Sequence, residues 1–183
     1  MTVTAKAIPM LSDNYSWLLT ESVSGKVGIV DPAESAPAID AIEAAGGRLD
    51  FIFLTHHHGD HIDGVPDLVA RYHPVVVGNA SDSHRLPKLD IAVREGDLVD
   101  FGADKVRVIE TPAHTRGHIS YYIADGGILL PGDTMFSLGC GRLFEGTAED
   151  MFNSLGKFED LPDETLVCAG HEYTESNARF ALS

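Results

Sequence analysis

Cysteine is scarce in this chain of 183 residues. The two cysteines, Cys140 and Cys168, lie far apart and form no CxxC pair. Two cysteines cannot build a disulfide framework, so the composition excludes a disulfide-stabilised secreted scaffold and favours a reducing compartment. The ordinary interpretation of both residues is that of small apolar side chains.

Cations and long hydrophobic runs are also lacking. The chain has 13 Lys and Arg against 28 Asp and Glu, a net charge of -15, which argues against nucleic acids and anionic membranes as partners. No apolar run approaches the length of a membrane span, and the N-terminus lacks the apolar core of a signal peptide. We therefore expect a cytoplasmic protein with no nucleic-acid or membrane partner.

Histidine, in contrast, is concentrated in the segment THHHGDH at residues 55–61, directly after the apolar run 51–54. If the chain is still extended there, the side chains of His56 and His58 point the same way and can bind one metal ion. The turn after them brings Asp60 and His61 to a second position. A solvated His-rich loop or an expression tag is not expected to follow a core strand.

Three more predicted strands end in the same kind of residue. The segment TPAHTRGH at 111–118 contains His114 and His118, and Asp133 and His171 each follow a later strand. Ligands at the same end of several strands converge on one site. By side-chain alternation, His57 is expected to point away from the metal and to be structural.

Supporting roles are expected for several neighbours of this site. His118 is predicted to contact a metal-ligating residue rather than to bind the metal itself. Thr115 and Thr134 are candidates for hydrogen bonds to metal-ligating residues. His73 and His84 are expected on the surface.

The rest of the chain alternates between β-type and helical patterns. Strands are predicted at 3–8, 15–20, 27–30, 51–54, 75–77, 91–93, 98–101, 106–109, 119–123, 128–130 and 166–168. Helices are predicted at 34–45, 62–72, 148–160 and 174–182. This order predicts a single domain over 1–183 in which two sheets pack together with helices outside.

These motifs together resemble the metallo-β-lactamase superfamily, whose signature is HxHxDH followed by His, Asp and His at later strand ends. More narrowly, the chain is similar to the glyoxalase II, or hydroxyacylglutathione hydrolase, family. The narrower resemblance rests on Asp13-Asn14-Tyr15, on GDTMFSLGCGRLFEG at 132–146 and on AGHEYTESNARFA at 169–181. It runs through essentially the whole sequence.

The resemblance implies an α/β (α+β) fold, a four-layer αββα sandwich of two mixed sheets flanked by helices, with two divalent metal ions. The implied ligands are His56, His58 and His114 for one ion, Asp60, His61 and His171 for the other, and Asp133 for both. Zinc is the expected metal, with iron or manganese as alternatives, since imidazole and carboxylate ligands accept all three.

The implied reaction is attack of a metal-bridging hydroxide on the thioester of S-2-hydroxyacylglutathione, such as S-D-lactoylglutathione. It yields glutathione and a 2-hydroxy acid. Asp133 would hold both ions, and Asp60 would orient the hydroxide. The small-molecule glutathione thioester is the one partner that the resemblance implies.

Substrate contacts are implied at Arg142, Phe144 and Tyr173. Arg142 can pair with a carboxylate, but Phe144 lacks the hydroxyl of the family's tyrosine. Family members continue into a C-terminal glutathione-binding helical lobe, whereas this sequence ends at Ser183. We therefore expect the lobe to be absent, the pocket to be open, and the protein to be a monomer or weak dimer.

Several alternatives remain open. A single-lobe or engineered hydrolase of the same fold would act on other thioesters, lactones or β-lactams. A mononuclear iron persulfide dioxygenase is disfavoured by the complete second ligand set, and an inactive metal-binding remnant is a further alternative. A flavodiiron oxygen reductase would carry Glu in place of His58. A nuclease is disfavoured by the acidic charge.

Overall fold

Two β-sheets form the centre of the computed structural model, which describes residues 2–183. The first sheet has the strand order β1-β2-β3-β4-β5-β6, with bounds Val3–Met10, Asn14–Glu21, Val27–Val30, Phe51–Phe53, Val75–Asn79 and Ile91–Val93. The second has the order β11-β10-β9-β8-β7, where β7 to β11 span Leu98–Phe101, Asp104–Glu110, Ile119–Ile123, Ile128–Gly132 and Leu166–Ala169. The helices α1 to α5 span Ser35–Ala44, Gly59–Ile62, Val65–Tyr72, Ala148–Gly156 and Thr174–Ala181.

Both sheets are mixed. In the first sheet, β1, β2 and β3 are antiparallel, whereas β3 to β6 run parallel. In the second, β7 to β10 are antiparallel and β11 is parallel to β10. The parallel strands of the first sheet are near-continuous apolar runs such as VGIV and FIF because both of their faces are covered.

Large apolar side chains fill the space between the two sheets. The ring centroid of Phe53 lies 5.9 Å from that of Phe101 and 5.3 Å from that of Tyr121. The Tyr121 hydroxyl donates to the carbonyl of Leu54 at 2.9 Å, so this buried polar group is satisfied. A Cβ atom on Gly28 would lie 3.1 Å from the Phe53 ring, which explains glycine in the middle of β3.

Helices cover the outer face of each sheet. Ile42 of α1 and Leu68 of α3 are fully buried against Ile52 of the first sheet. Phe158, just after α4, packs against Tyr122 of the second sheet. The four-layer αββα sandwich is therefore confirmed.

The single helix predicted over 62–72 is instead two helices, α2 and α3. Pro66 has no N–H group to donate to the carbonyl of Ile62, so a continuous helix would lose a hydrogen bond there. Gly64 lies at the break, where an added Cβ would lie 2.8 Å from backbone atoms of the loop after β3. In the described part of the chain, no helix is long and apolar enough to cross a membrane.

Candidate metal centre and active site

Four loops bring the candidate ligands to one end of the sandwich. The THHHGDH segment follows β4, His114 lies in the loop between β8 and β9, and Asp133 and His171 follow β10 and β11. The two sheets are tied together at this end, since the N–H of Ile119 donates to the carbonyl of Thr55 at 2.9 Å. Residues far apart in the sequence therefore meet at one point.

Three imidazoles form the first ligand set. His58 Nδ1 lies 3.0 Å from His56 Nε2 and 3.1 Å from His114 Nε2. Burial lowers the pKa of each of the three histidines, most strongly at His56. Their rings are therefore neutral, which is the form that binds a metal ion.

The second ligand set combines a carboxylate with two imidazoles. His61 Nε2 lies 3.3 Å from His171 Nε2. Asp60 Oδ2 lies 3.8 Å from His61 Nε2 and 3.5 Å from His171 Nε2. Burial lowers the pKa of His61, but the carboxylates of Asp133 and Asp31 outweigh that effect and raise it to about 10. A metal ion binding here would therefore displace a proton.

Asp133 lies between the two sets. Its Oδ2 is 3.4 Å from His114 Nε2 and 3.3 Å from His171 Nε2. Burial raises the pKa of Asp133, but its hydrogen bond with His171 and the charge of His61 hold it well below the usual value. Its Oδ1 is buried and forms no hydrogen bond among the described residues, and it lies 3.4 Å from His61 Nε2. An ionised carboxylate that lies close to nitrogen atoms of both sets, with one oxygen outside any hydrogen bond, fits a ligand shared by two divalent cations.

A further candidate group, Asp31 with His56 and His61, has a different role. Both Asp31 oxygens are occupied, because Oδ1 accepts from the N–H of Thr55 at 2.8 Å and Oδ2 from the Thr55 hydroxyl at 2.6 Å. Asp31 Oδ2 also lies 3.1 Å from His61 Nδ1, which leaves His61 Nε2 facing the site. Asp31 was not among the predicted site residues, although its local signal is the same as that of the candidate ligands, an acidic residue directly after a buried strand.

The residues expected to support the ligands behave in different ways. His118 Nε2 accepts from the N–H of Asp133 at 3.1 Å, and burial lowers the His118 pKa to about 3, so this ring is neutral and already engaged. The Thr134 hydroxyl lies 3.2 Å from His118 Nδ1, so it contacts this supporting histidine and not a candidate metal ligand. The expectation for Thr115 was wrong, because its buried hydroxyl has no partner among the described residues. The Thr55 hydroxyl, which lies 3.0 Å from His56 Nδ1, supports a candidate ligand instead.

The remaining histidines belong to neither ligand set. His57 Nδ1 is 3.1 Å from Asp82 Oδ2, a residue outside both sets. His73 and His84 are exposed, as expected.

A cavity of about 860 Å³ opens above the ligands. All three residues predicted to contact substrate, Arg142, Phe144 and Tyr173, line it. The Phe144 ring packs edge-on against His114 at 5.2 Å and is 61% exposed. The Tyr173 ring stacks on His171, with centroids 5.0 Å apart. The cavity therefore combines the positively charged Arg142 side chain, two aromatic walls and the candidate metal ligands at its base.

Comparison with known proteins agrees with this arrangement. Residues 11–171 match the Metallo-beta-lactamase superfamily. A crystal structure of the BLEG-1 B3 metallo-beta-lactamase superposes with a TM-score of 0.84 over 92% of both chains; at 23% identity this likeness concerns the fold alone.

Two curated relatives are much more similar in sequence. Both are named hydroxyacylglutathione hydrolase. The protein from Acidiphilium cryptum is 53% identical over 97% of this chain and 72% of its own length. The protein from Ruegeria pomeroyi is 51% identical over 96% of this chain and 69% of its own length.

The fold and the paired ligand sets define a metal-dependent hydrolase of the αββα type, and the chain belongs to the metallo-β-lactamase superfamily. Within that superfamily it is a member of the hydroxyacylglutathione hydrolase family.

Proposed function

We propose that this protein hydrolyses the thioester of S-2-hydroxyacylglutathiones, such as S-D-lactoylglutathione, to glutathione and a 2-hydroxy acid. The observation that carries the proposal is the pair of complete ligand sets that share Asp133 at the base of the cavity. The names of relatives about 50% identical to this chain support the choice of substrate.

The metal ions would be held by the two ligand sets described above, with Asp133 contributing to both. When bound, they would polarise the thioester carbonyl and lower the pKa of a water nucleophile. We propose zinc as the physiological metal. Iron and manganese remain compatible because none of the proposed ligands is a thiolate.

The protein's own side chains bind and orient the reactants. We propose that Asp60, whose side chain is 41% exposed and lines the cavity, orients the attacking water. We also propose that Arg142 pairs with a glutathione carboxylate and that Phe144 and Tyr173 contact the substrate, since all three line the cavity. The leaving group is a thiolate, which departs without a strong general acid.

The test is hydrolysis of S-D-lactoylglutathione by purified protein whose metal content has been measured. Asp133→Ala removes the shared carboxylate, and Asp125→Ala, in an exposed turn, is the matched control. We expect saturable turnover in the wild type and in Asp125→Ala, and loss of turnover in Asp133→Ala.

Absence of turnover in a wild type that carries about two metal ions per chain would contradict the glutathione substrate. The second candidate is then hydrolysis of other thioesters, lactones or β-lactams, which the apolar Phe144 at the cavity wall favours. Oxygen consumption with glutathione persulfide would instead indicate the dioxygenase alternative.

A further inference from the structure

The turn that joins β1 to β2 reaches the second ligand set, although its residues have no part in the proposed reaction. Asn14 Nδ2 lies 3.0 Å from the carbonyl oxygen of Asp60 and 3.1 Å from Asp60 Oδ2. Asp13 Oδ1 lies 2.9 Å from His171 Nδ1. Two adjacent residues thus contact two ligands that are distant from each other in the sequence.

Backbone hydrogen bonds hold this turn against the segment that carries His171. The N–H of Tyr15 donates to the carbonyl of Gly170 at 2.8 Å, and the N–H of Glu172 donates to the carbonyl of Asp13 at 2.8 Å. Asn14 and His171 therefore pair as an antiparallel bridge. The turn is fixed at two points, so its side chains have little freedom to move away from the ligands.

Asp60 is the ligand that most needs such support. Its side chain is 41% exposed, compared with 1% for His61 and 8% for Asp133. Among the described residues, Asn14 supplies the one hydrogen bond to the Asp60 carboxylate. Asn14 itself is only 6% exposed, so its amide group is held in place by packing.

The first ligand set is supported by other residues. His56 Nδ1 lies 3.0 Å from the Thr55 hydroxyl, and His114 Nδ1 donates to the carbonyl of Arg142 at 2.8 Å. Within residues 2–183, neither Asp13 nor Asn14 makes a hydrogen bond to this set. Among the described residues, Asp13 and Asn14 therefore support the second set alone.

We propose that Asn14, together with Asp13, is a positioning residue for the second metal ion and sets the affinity of that position selectively. The inference rests on the two-metal part of the proposed function. The hydrogen bond that His171 Nδ1 donates to Asp13 Oδ1 fixes the tautomer that leaves Nε2 free for metal, and the Asn14 amide fixes the rotamer of Asp60. Removing such a partner typically lowers metal affinity about 10- to 100-fold.

The test is metal titration of the purified, metal-free protein followed by dialysis and metal analysis. The variants are Asn14→Ala and Asp13→Ala, which remove the contacts, and Asp13→Asn, which keeps an acceptor for His171. Asn153→Ala, an exposed asparagine on α4, is the matched control. Cadmium NMR distinguishes the three-imidazole set from the set that contains Asp60.

We expect two ions per chain in the wild type and the control. In Asn14→Ala and Asp13→Ala, the metal affinity of the set that contains Asp60 should fall about 10- to 100-fold. The metal affinity of the three-imidazole set should stay within about 3-fold of the wild-type value. Asp13→Asn should recover most of the loss, and hydrolysis by Asn14→Ala should return at high metal concentration. Thermal unfolding of the metal-free variants checks that they fold.

Equal weakening of both ions, or of neither, would overturn the inference, as would a wild type that binds a single ion. The metal-affinity measurements need no substrate. If the wild type binds two ions with the expected asymmetry among variants but hydrolyses no glutathione thioester, the proposed function fails and the inference stands.

Discussion

Arg85 holds Glu145 through two parallel hydrogen bonds. Its Nη2 lies 3.1 Å from Glu145 Oε2, its Nη1 contacts the other carboxylate oxygen, and its Nε lies 2.6 Å from Asp82 Oδ1. Asp82 in turn contacts His57, which lies between two candidate metal ligands in the sequence, and Glu145 accepts from the N–H of Arg116 at 2.6 Å. One guanidinium therefore connects the metal loop with the segment that lines the cavity.

Removing either partner of this pair should destabilise the protein by more than a typical surface ion pair does. The side chains of Arg85 and Glu145 are 29% and 27% exposed, and the geometry is bidentate, so we expect a coupling of about 1–2 kcal/mol. The measurement is a double-mutant cycle of Arg85→Met and Glu145→Gln by denaturant unfolding. Arg94→Met, an exposed arginine, is the control. Additive single effects would contradict the prediction.

The same pair predicts a pH dependence of stability. The Arg85 guanidinium lowers the pKa of Glu145 from 4.5 to about 2 in the folded protein. Because the folded pKa is depressed, the stabilisation is present above about pH 4.5 and is lost as pH falls towards 2. We expect the stability difference between wild type and Glu145→Gln to shrink over that interval. A difference that stays constant from about pH 5 to about pH 2, the interval that contains the unfolded and folded pKa values of Glu145, would be evidence against it.

The candidate ligands could be singled out from the sequence because their signal is local. A buried strand followed at once by HxHxDH gives four candidate ligands within six residues, and His114, Asp133 and His171 each follow a strand of their own. The order of strands and helices was likewise visible in short-range periodicity. The break before α3 was missed because it depends on Pro66 and on packing of Gly64 against a distant loop.

The long-range contacts around the candidate site were not predictable in the same way. Asn14 contacts Asp60, and Arg85 contacts Glu145, across long stretches of intervening chain. Nothing in the local pattern of residues 78–90 distinguishes Arg85 from an ordinary surface cation. Such contacts depend on the tertiary arrangement of separate segments, which no single segment encodes.

The two cysteines should differ sharply in reactivity. Burial raises the pKa of Cys168 to about 12, so its thiolate is scarce at neutral pH, whereas Cys140 is exposed and lines the cavity. We expect one thiol per chain to react with a disulfide reagent in the native protein and both to react after unfolding. Cys140→Ser should abolish the native reaction. Two thiols reacting at one rate in the native state would be the contrary result.

Phe144 should limit how tightly glutathione thioesters bind. Its ring lies against His58 and His114 at the cavity wall, 5.6 Å and 5.2 Å between centroids, so a hydroxyl at its outer edge would face the bound substrate. One added hydrogen bond contributes about 0.5–1.5 kcal/mol, so Phe144→Tyr should lower the KM for S-D-lactoylglutathione about 2- to 12-fold, with kcat little changed. Phe152→Tyr, on an exposed face of α4, is the control because it lies outside the cavity. An unchanged or higher KM in Phe144→Tyr, with the metal content intact, would show that this wall does not contact glutathione.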